Sequence, residues 1–207
     1  MNEVLNYNTI TENSEGFFKD KGSKFLGFAF HVKTLEDIDR CLKKIREKEY
    51  SARHHCYAYR LEFDGSKYRA NDDGEPSHSA GDPILGQIDS FELTETLIIV
   101  VRYFGGTKLG VGGLIQAYRA AAKESLLNNK IVNRAVRQKF DLLFEYESMN
   151  IVMRYAKQFN TKIVSQKLEQ SCAMTIELDL DKADSFKQGI LLSRKVRIKK
   201  PSESWED

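Results

Sequence analysis

The sequence predicts an α+β protein of two domains, residues 1–133 and residues 138–207. Three observations predict it. The first half mixes strand and helix patterns around a glycine-rich segment. The second half reads β-α-β-β-α-β over roughly 65 residues, the order of a ferredoxin-like split βαβ unit. Residues 129–137 (NKIVNRAVR) join the two patterns. A chain of 207 residues suits two small domains or one large one.

Residues 24–32 (KFLGFAFHV) read as a strand. Thr34 then caps a helix whose apolar positions Leu35, Ile38, Leu42 and Ile45 follow the 3.6-residue period. Over 54–63 the alternation puts Tyr57, Tyr59, Leu61 and Phe63 on one face of a strand. Asp64-Gly65 supplies the turn, and 67–70 return as a hairpin partner. Asp82-Pro83 signals a helix start, cap then first-turn proline, with Ile84, Leu85, Ile88 and Phe91 on its apolar side. Residues 96–103 (TLIIVVRY) form a buried strand. A glycine loop spans 105–113. The helix after it runs to about Asn128, with Val111, Leu114, Ile115, Tyr118, Ala122 and Leu126 on one stripe. In the second half Phe140, Leu142, Phe144 and Tyr146 alternate as a strand. A helix over 148–159 turns Val152, Tyr155, Ala156 and Phe159 inward, and 161–168 form a strand. The alternation of Cys172, Met174, Ile176, Leu178 and Leu180 marks a further strand. Asp181 or Asp184 starts a helix holding Phe186 and Ile190, and 195–199 close the pattern.

Composition narrows the function classes. With 32 Lys+Arg against 30 Asp+Glu, the net charge is +2, which argues against a surface that is basic throughout. The three cysteines, Cys41, Cys56 and Cys172, are odd in number and lack C-x-x-C spacing. That speaks for a reducing compartment and against a disulfide framework or structural zinc. The N-terminal residues show no signal-peptide pattern, and the longest strongly apolar run, Leu97 to Val101, is far short of a membrane span. The expectation is a cytoplasmic protein with no membrane partner.

Two segments carry candidate chemistry. Residues 71–82 (NDDGEPSHSAGD) gather acids, serines and a histidine before a helix. Asp72, Asp73, Glu75 and His78 are the catalytic candidates, as acid–base groups or metal ligands. The same residue types also build tight turns. The spacing is not that of a calcium loop, and no metal or cofactor is assigned. The second segment is Phe104 to Leu114, where Gly105, Gly106, Gly110, Gly112 and Gly113 lie between a strand and a helix. Free backbone N–H groups there can receive an anion, with Lys108 adding charge. Glycine also permits a sharp bend or close packing, and both readings stand. It is no Walker A loop, because Val111-Gly112 replaces Lys-Ser/Thr, and Ile115 stands where a G-x-G-x-x-G fingerprint needs its third glycine.

Charge is segregated across these segments. Residues 71–95 hold seven acids and no Lys or Arg, whereas residues 102–137 hold seven bases and one acid, Glu124. Arg102, Lys108, Arg119 and Lys123 are the cationic candidates for anion or nucleic-acid binding, and Arg119 and Lys123 share a helix face. Lys195, Arg197 and Lys199 share a face of the last strand, where lysine guards a sheet edge. His31, His54 and His55 are read as structural.

Together, Asp72-Asp73-Gly74-Glu75-Pro76 and Arg102 through Leu114 resemble the signature of the IMPACT (YigZ) family. Ser23-Lys24-Phe25 and His54-His55-Cys56-Tyr57-Ala58-Tyr59 resemble earlier segments of that family. One departure stands at His78-Ser79-Ala80-Gly81, where members typically read Gly-Thr-Ala-Gly. The resemblance implies a first domain with the β-α-β fold shared by a ribosomal-protein domain and domain IV of elongation factor G. It implies a second, ferredoxin-like domain similar to domain V of that factor. It also implies a link to translation, since eukaryotic members regulate it through a protein partner.

Two functions follow as expectations. One is a non-enzymatic, translation-linked regulator that binds RNA, the ribosome or a protein partner. The other is an enzyme acting on a small phosphorylated or anionic substrate, which requires the acidic and glycine segments to converge on one pocket.

Overall fold

The computed structural model describes residues 4–199. The chain divides into two compact units, residues 6–134 and, with residues 4 and 5, residues 135–199. In the first unit the elements are β1 (Asn6–Ile10), β2 (Ser14–Asp20), β3 (Ser23–His31), α1 (Leu35–Lys48), β4 (His54–Leu61), β5 (Lys67–Asn71), α2 (Gly81–Ser90), β6 (Thr96–Tyr103), α3 (Gly110–Leu127) and β7 (Ile131–Ala135). Five strands form one sheet in the order β2-β3-β6-β4-β5, antiparallel throughout, while β1 pairs with β7.

The central strand β6 explains its own sequence. Leu97, Ile99 and Val101 pack with Ile38, Leu42 and Ile45 of α1, while Ile98 and Val100 pack with residues of α2 and α3. A strand buried on both faces reads as an unbroken apolar run. Helix α1 starts on a capping box: the Asp37 N–H donates to Thr34 Oγ1, and the Thr34 N–H donates to the Asp37 carboxylate, both at 3.1 Å.

Several expectations need correction. Phe63 lies past the end of β4 and is exposed. Helix α2 is capped at Ala80, so Asp82 and Pro83 already stand inside its first turn. Three strands lie outside the sequence expectation: β1, β2, and β7, the last within the 129–137 segment expected to be a joint. Half of the glycine loop is helix, because α3 begins at Gly110.

The buried face of α3 is Leu114, Ala117, Tyr118, Ala121, Ala122, Ser125 and Leu126, while Val111 is 52% exposed. The stripe turns toward small residues because the helix rests on a glycine pair, Gly16 opposite Gly27. A Cβ on Gly16 would stand 2.8 Å from the Ala121 carbonyl oxygen, and one on Gly27 would overlap that same oxygen.

The second unit contains β8 (Arg137–Glu145), α4 (Met149–Gln158), β9 (Lys162–Lys167), β10 (Ser171–Asp179), α5 (Ala183–Leu192) and β11 (Val196–Ile198). Its antiparallel sheet runs β11-β8-β10-β9. Phe140, Leu142 and Phe144 join Cys172, Met174, Ile176 and Leu178 in a core covered by Val152, Phe186 and Ile190. Tyr146 and Leu180 fall in short 3-10 turns rather than at the strand ends, and Tyr146 is exposed. Asp181 also lies in such a turn, while Asp184 sits in the first turn of α5. At the sheet edge, β11 exposes Arg197. Among the described residues no helix is long and apolar enough to cross a membrane.

Candidate functional site

The acidic segment is tied down by its own carboxylates. Asp72 Oδ1 accepts the N–H groups of Ala80 (2.9 Å) and Gly81 (2.8 Å), and its Oδ2 accepts that of His78 (2.9 Å). Asp72 thus supplies the cap that Ala80, with no side-chain acceptor, cannot give to α2. Burial pushes its carboxyl upward, but the N–H donors of Gly81, His78 and Ala80 outweigh burial and hold it below the usual range. Asp73 Oδ2 accepts the His55 N–H at 2.7 Å, and its carbonyl accepts His54 Nδ1–H at 2.9 Å. His78 lies outside on the surface, its Nδ1 2.6 Å from Asp82, and that hydrogen bond raises the imidazole pKa.

A pH prediction follows from Asp72. Its folded carboxyl titrates below the unfolded value of about 4, so its contribution is full above that pH. The contribution is lost as pH falls through the folded value. Asp72→Asn is expected to cost about 1–2 kcal/mol at pH 7. The gap to the parent should close on acidification. Urea unfolding at a series of pH values checks this, and a gap that does not change with pH would remove the capping charge from the account.

Glu75 behaves differently. Its Oε1 accepts Arg102 Nη1–H at 2.7 Å and the Tyr118 hydroxyl at 2.8 Å, with the Arg102 and Glu75 side chains only 8% and 4% exposed. Cys56 Sγ donates to the Asp72 carbonyl at 2.9 Å and lies 3.3 Å from the Tyr118 hydroxyl oxygen. Burial, reinforced by the neighbouring Cys56 and Glu75, drives the Tyr118 phenol far above its ordinary pKa, and burial does the same to the Cys56 thiol. Both stay protonated, so Tyr118 donates to the carboxylate. This chain from Cys56 to Arg102 locks the acidic segment to β4, β6 and α3. Among the described residues it is also the one ion pair joining the acidic stretch to the basic one.

The glycines divide by role. Gly105 lies against the backbone of Gly22 and Ser23, where a Cβ would overlap it, and its N–H donates to Ser23 Oγ at 3.1 Å. Gly106 (φ +88°) and Gly110 (φ +73°) adopt the left-handed conformation that favours glycine. Gly112 faces open space in the first turn of α3, and Gly113 follows it there. Helix α3 has no side-chain cap on its first N–H groups. Lys108, Arg119 and Lys123 are exposed, and among the described residues none has a carboxylate within ion-pair distance. Arg102 is set apart from these three by its burial.

The two segments meet at a cavity of about 770 Å3. Glu75 and Pro76 line it from the acidic side, and Lys108, Leu109 and Gly110 from the glycine side. Asp72, Asp73 and His78 do not line it. Arg53, His54 and Phe104 do, and the sequence reading assigned them no function. His54 and Phe104 fall within the HHCYAY and RYFGG segments, whereas Arg53 lies in neither. Among the described residues no group of three or more His, Cys, Asp or Glu is placed to hold a metal ion.

Residues 21–126 match the family model of the Impact N-terminal domain. An IMPACT family member from Haemophilus influenzae is 30% identical over 168 residues, covering 80% of this chain and 82% of that protein. IMPACT family member YvyE from Bacillus subtilis is 38% identical over 128 residues, covering 62% of this chain and 59% of that protein. A crystal structure of a hypothetical protein is similar in fold, with a TM-score of 0.74 at 24% identity, over 97% of this chain and 99% of that one. The acidic and glycine segments that form the cavity both lie inside the matched region, and the chain belongs to the IMPACT family.

Proposed function

We propose that this chain is a cytoplasmic, translation-linked regulator that works by binding RNA, with Lys108, Arg119 and Lys123 on the phosphate backbone. Membership of the IMPACT family supports the link to translation. One observation carries the RNA reading: these three cations sit exposed on one loop and helix, and among the described residues no carboxylate neutralises them. Uncompensated cations on a helix face are what backbone contact requires. The reading extends to the fold, with the first unit as a ribosomal-protein-type module like domain IV of elongation factor G and the second as a ferredoxin-like module like its domain V.

The test is binding of RNA and of ribosomes across a salt series. Each phosphate contact contributes about 0.7 to the slope of log affinity against log salt for a single strand. Replacing Lys108, Arg119 and Lys123 together by Ala should therefore flatten the slope by about 2. Absence of salt-dependent binding, or a triple variant identical to the parent, would refute it, as would capture of a protein partner with no RNA.

The enzyme reading keeps one observation in its favour, that the acidic and glycine segments share a cavity. Against it, Asp72 and Asp73 are engaged by backbone N–H groups, and His78 lies away from the cavity.

A further inference from the structure

The cavity at the start of α3 has a chemistry of its own and shares Lys108 alone with the RNA reading. Arg53, His54, Arg102 and Lys108 line it, against a single carboxylate, Glu75, which Arg102 already neutralises. Among the described residues neither Arg53 nor Lys108 has an ion-pair partner, so the two bring uncompensated charge. His54 is held by Nδ1–H donation to the Asp73 carbonyl, which leaves Nε2 as its remaining polar atom. The uncapped N–H groups of α3 add the positive end of an 18-residue helix.

Two features separate this cavity from a bare helix end. Arg102 is 8% exposed, yet its Nε–H is buried with no acceptor among the described residues. A buried donor left unpaired is costly, and the residue that carries it lines the cavity. The walls are also apolar where a free surface would be polar. Val111, which the helix period alone would bury, is half exposed and lines the cavity beside Leu109. Phe104 is 60% exposed, with the Arg102 guanidinium 5.6 Å from its ring centroid. An exposed ring braced by a buried cation is a stacking platform.

We infer that this cavity binds a mononucleotide-sized organic phosphate, its phosphate at Arg53, Lys108 and the start of α3, and its planar body against Phe104. Two cations and a row of N–H donors match a doubly charged tetrahedral group better than a carboxylate. A volume of about 770 Å3 lies within the range of small-molecule sites. The inference goes beyond the RNA reading, since Arg119 and Lys123 do not line the cavity.

The probes are AMP, adenosine and inorganic phosphate, titrated calorimetrically into the full chain. AMP is expected to bind at least about tenfold more tightly than either fragment. Phe104→Ala should weaken AMP about tenfold and leave phosphate unchanged. Arg53→Ala with Lys108→Ala should weaken AMP and phosphate alike. Arg119→Ala with Lys123→Ala should leave AMP binding intact while reducing RNA binding, so the two readings fail separately. All four positions, like Phe104, are exposed, so their replacement is expected to leave the fold in place, which the unfolding transition of each variant checks. No binding of AMP, binding no tighter than adenosine, or indifference to Phe104→Ala would overturn the inference.

Discussion

Replacing Glu75 by Ala is expected to remove about 3–5 kcal/mol of stability from the first unit, the largest single-residue effect in the acidic segment. The physical cause is what remains behind. Arg102 would keep its charge at a site 8% exposed, with Nη1 now joining Nε in lacking an acceptor, and Tyr118 would lose the acceptor for its hydroxyl. The cost of a half-broken buried pair exceeds the value of the pair. A double variant distinguishes the two quantities. Glu75→Gln with Arg102→Met removes both charges and keeps most of the volume, so it should be less destabilised than Glu75→Ala. Chemical unfolding of the three proteins is the measurement. A Glu75→Ala cost below about 1 kcal/mol would mean that water reaches the pair and that the locking role is wrong.

Gly27→Val is expected to cost about 3 kcal/mol or more, through backbone overlap rather than lost contact. The added Cβ meets the carbonyl of Ala121, and the helix that carries this carbonyl is held on its other flank by Gly16 against Ser125. Neither wall is the end of a flexible side chain. Relief requires α3 to lift from β2 and β3, which also strips Tyr118 and Leu126 of their burial. Phe17→Ala, one position along from Gly16 and facing outward, is the control and should change little. The comparison is read from the unfolding transition of the first unit, because a two-unit chain need not melt as one. Equal midpoints for Gly27→Val and the control would show that α3 is not seated on the glycine pair.

These two residues also mark the limit of what the sequence discloses. The apolar run of β6, the capping box at Thr34 and the alternation over Cys172 to Leu178 are local signals, and each produced its element. Gly27 lies within a correctly read strand, but its role depends on a helix about 90 residues later. The same holds for Asp72, which caps a helix starting nine residues downstream, beyond the reach of the local capping rule. Strands β1 and β7 escaped because each is short and finds its partner at the far end of the unit. In the candidate site, the acids and glycines were legible as a group. Which of them reach the cavity was not, because backbone donors claimed Asp72 and Asp73 and left Glu75 to Arg102.

The pairing of β1 with β7 has a further consequence for synthesis. Thr11, just beyond β1, donates its N–H to the Lys130 carbonyl across 119 residues of sequence. At about 5–20 residues per second, that carbonyl leaves the ribosome roughly 6–24 s after Thr11 does. During that interval β3, β4 and β6 can already assemble around the α1 core, while β1 has only its bridge from Asn8 to the Leu93–Thr94 segment and waits for its strand partner. The last event in building the first unit is thus the joining of its two ends, and a released chain truncated before residue 131 would carry the strands of the five-stranded sheet but not the clasp that closes it.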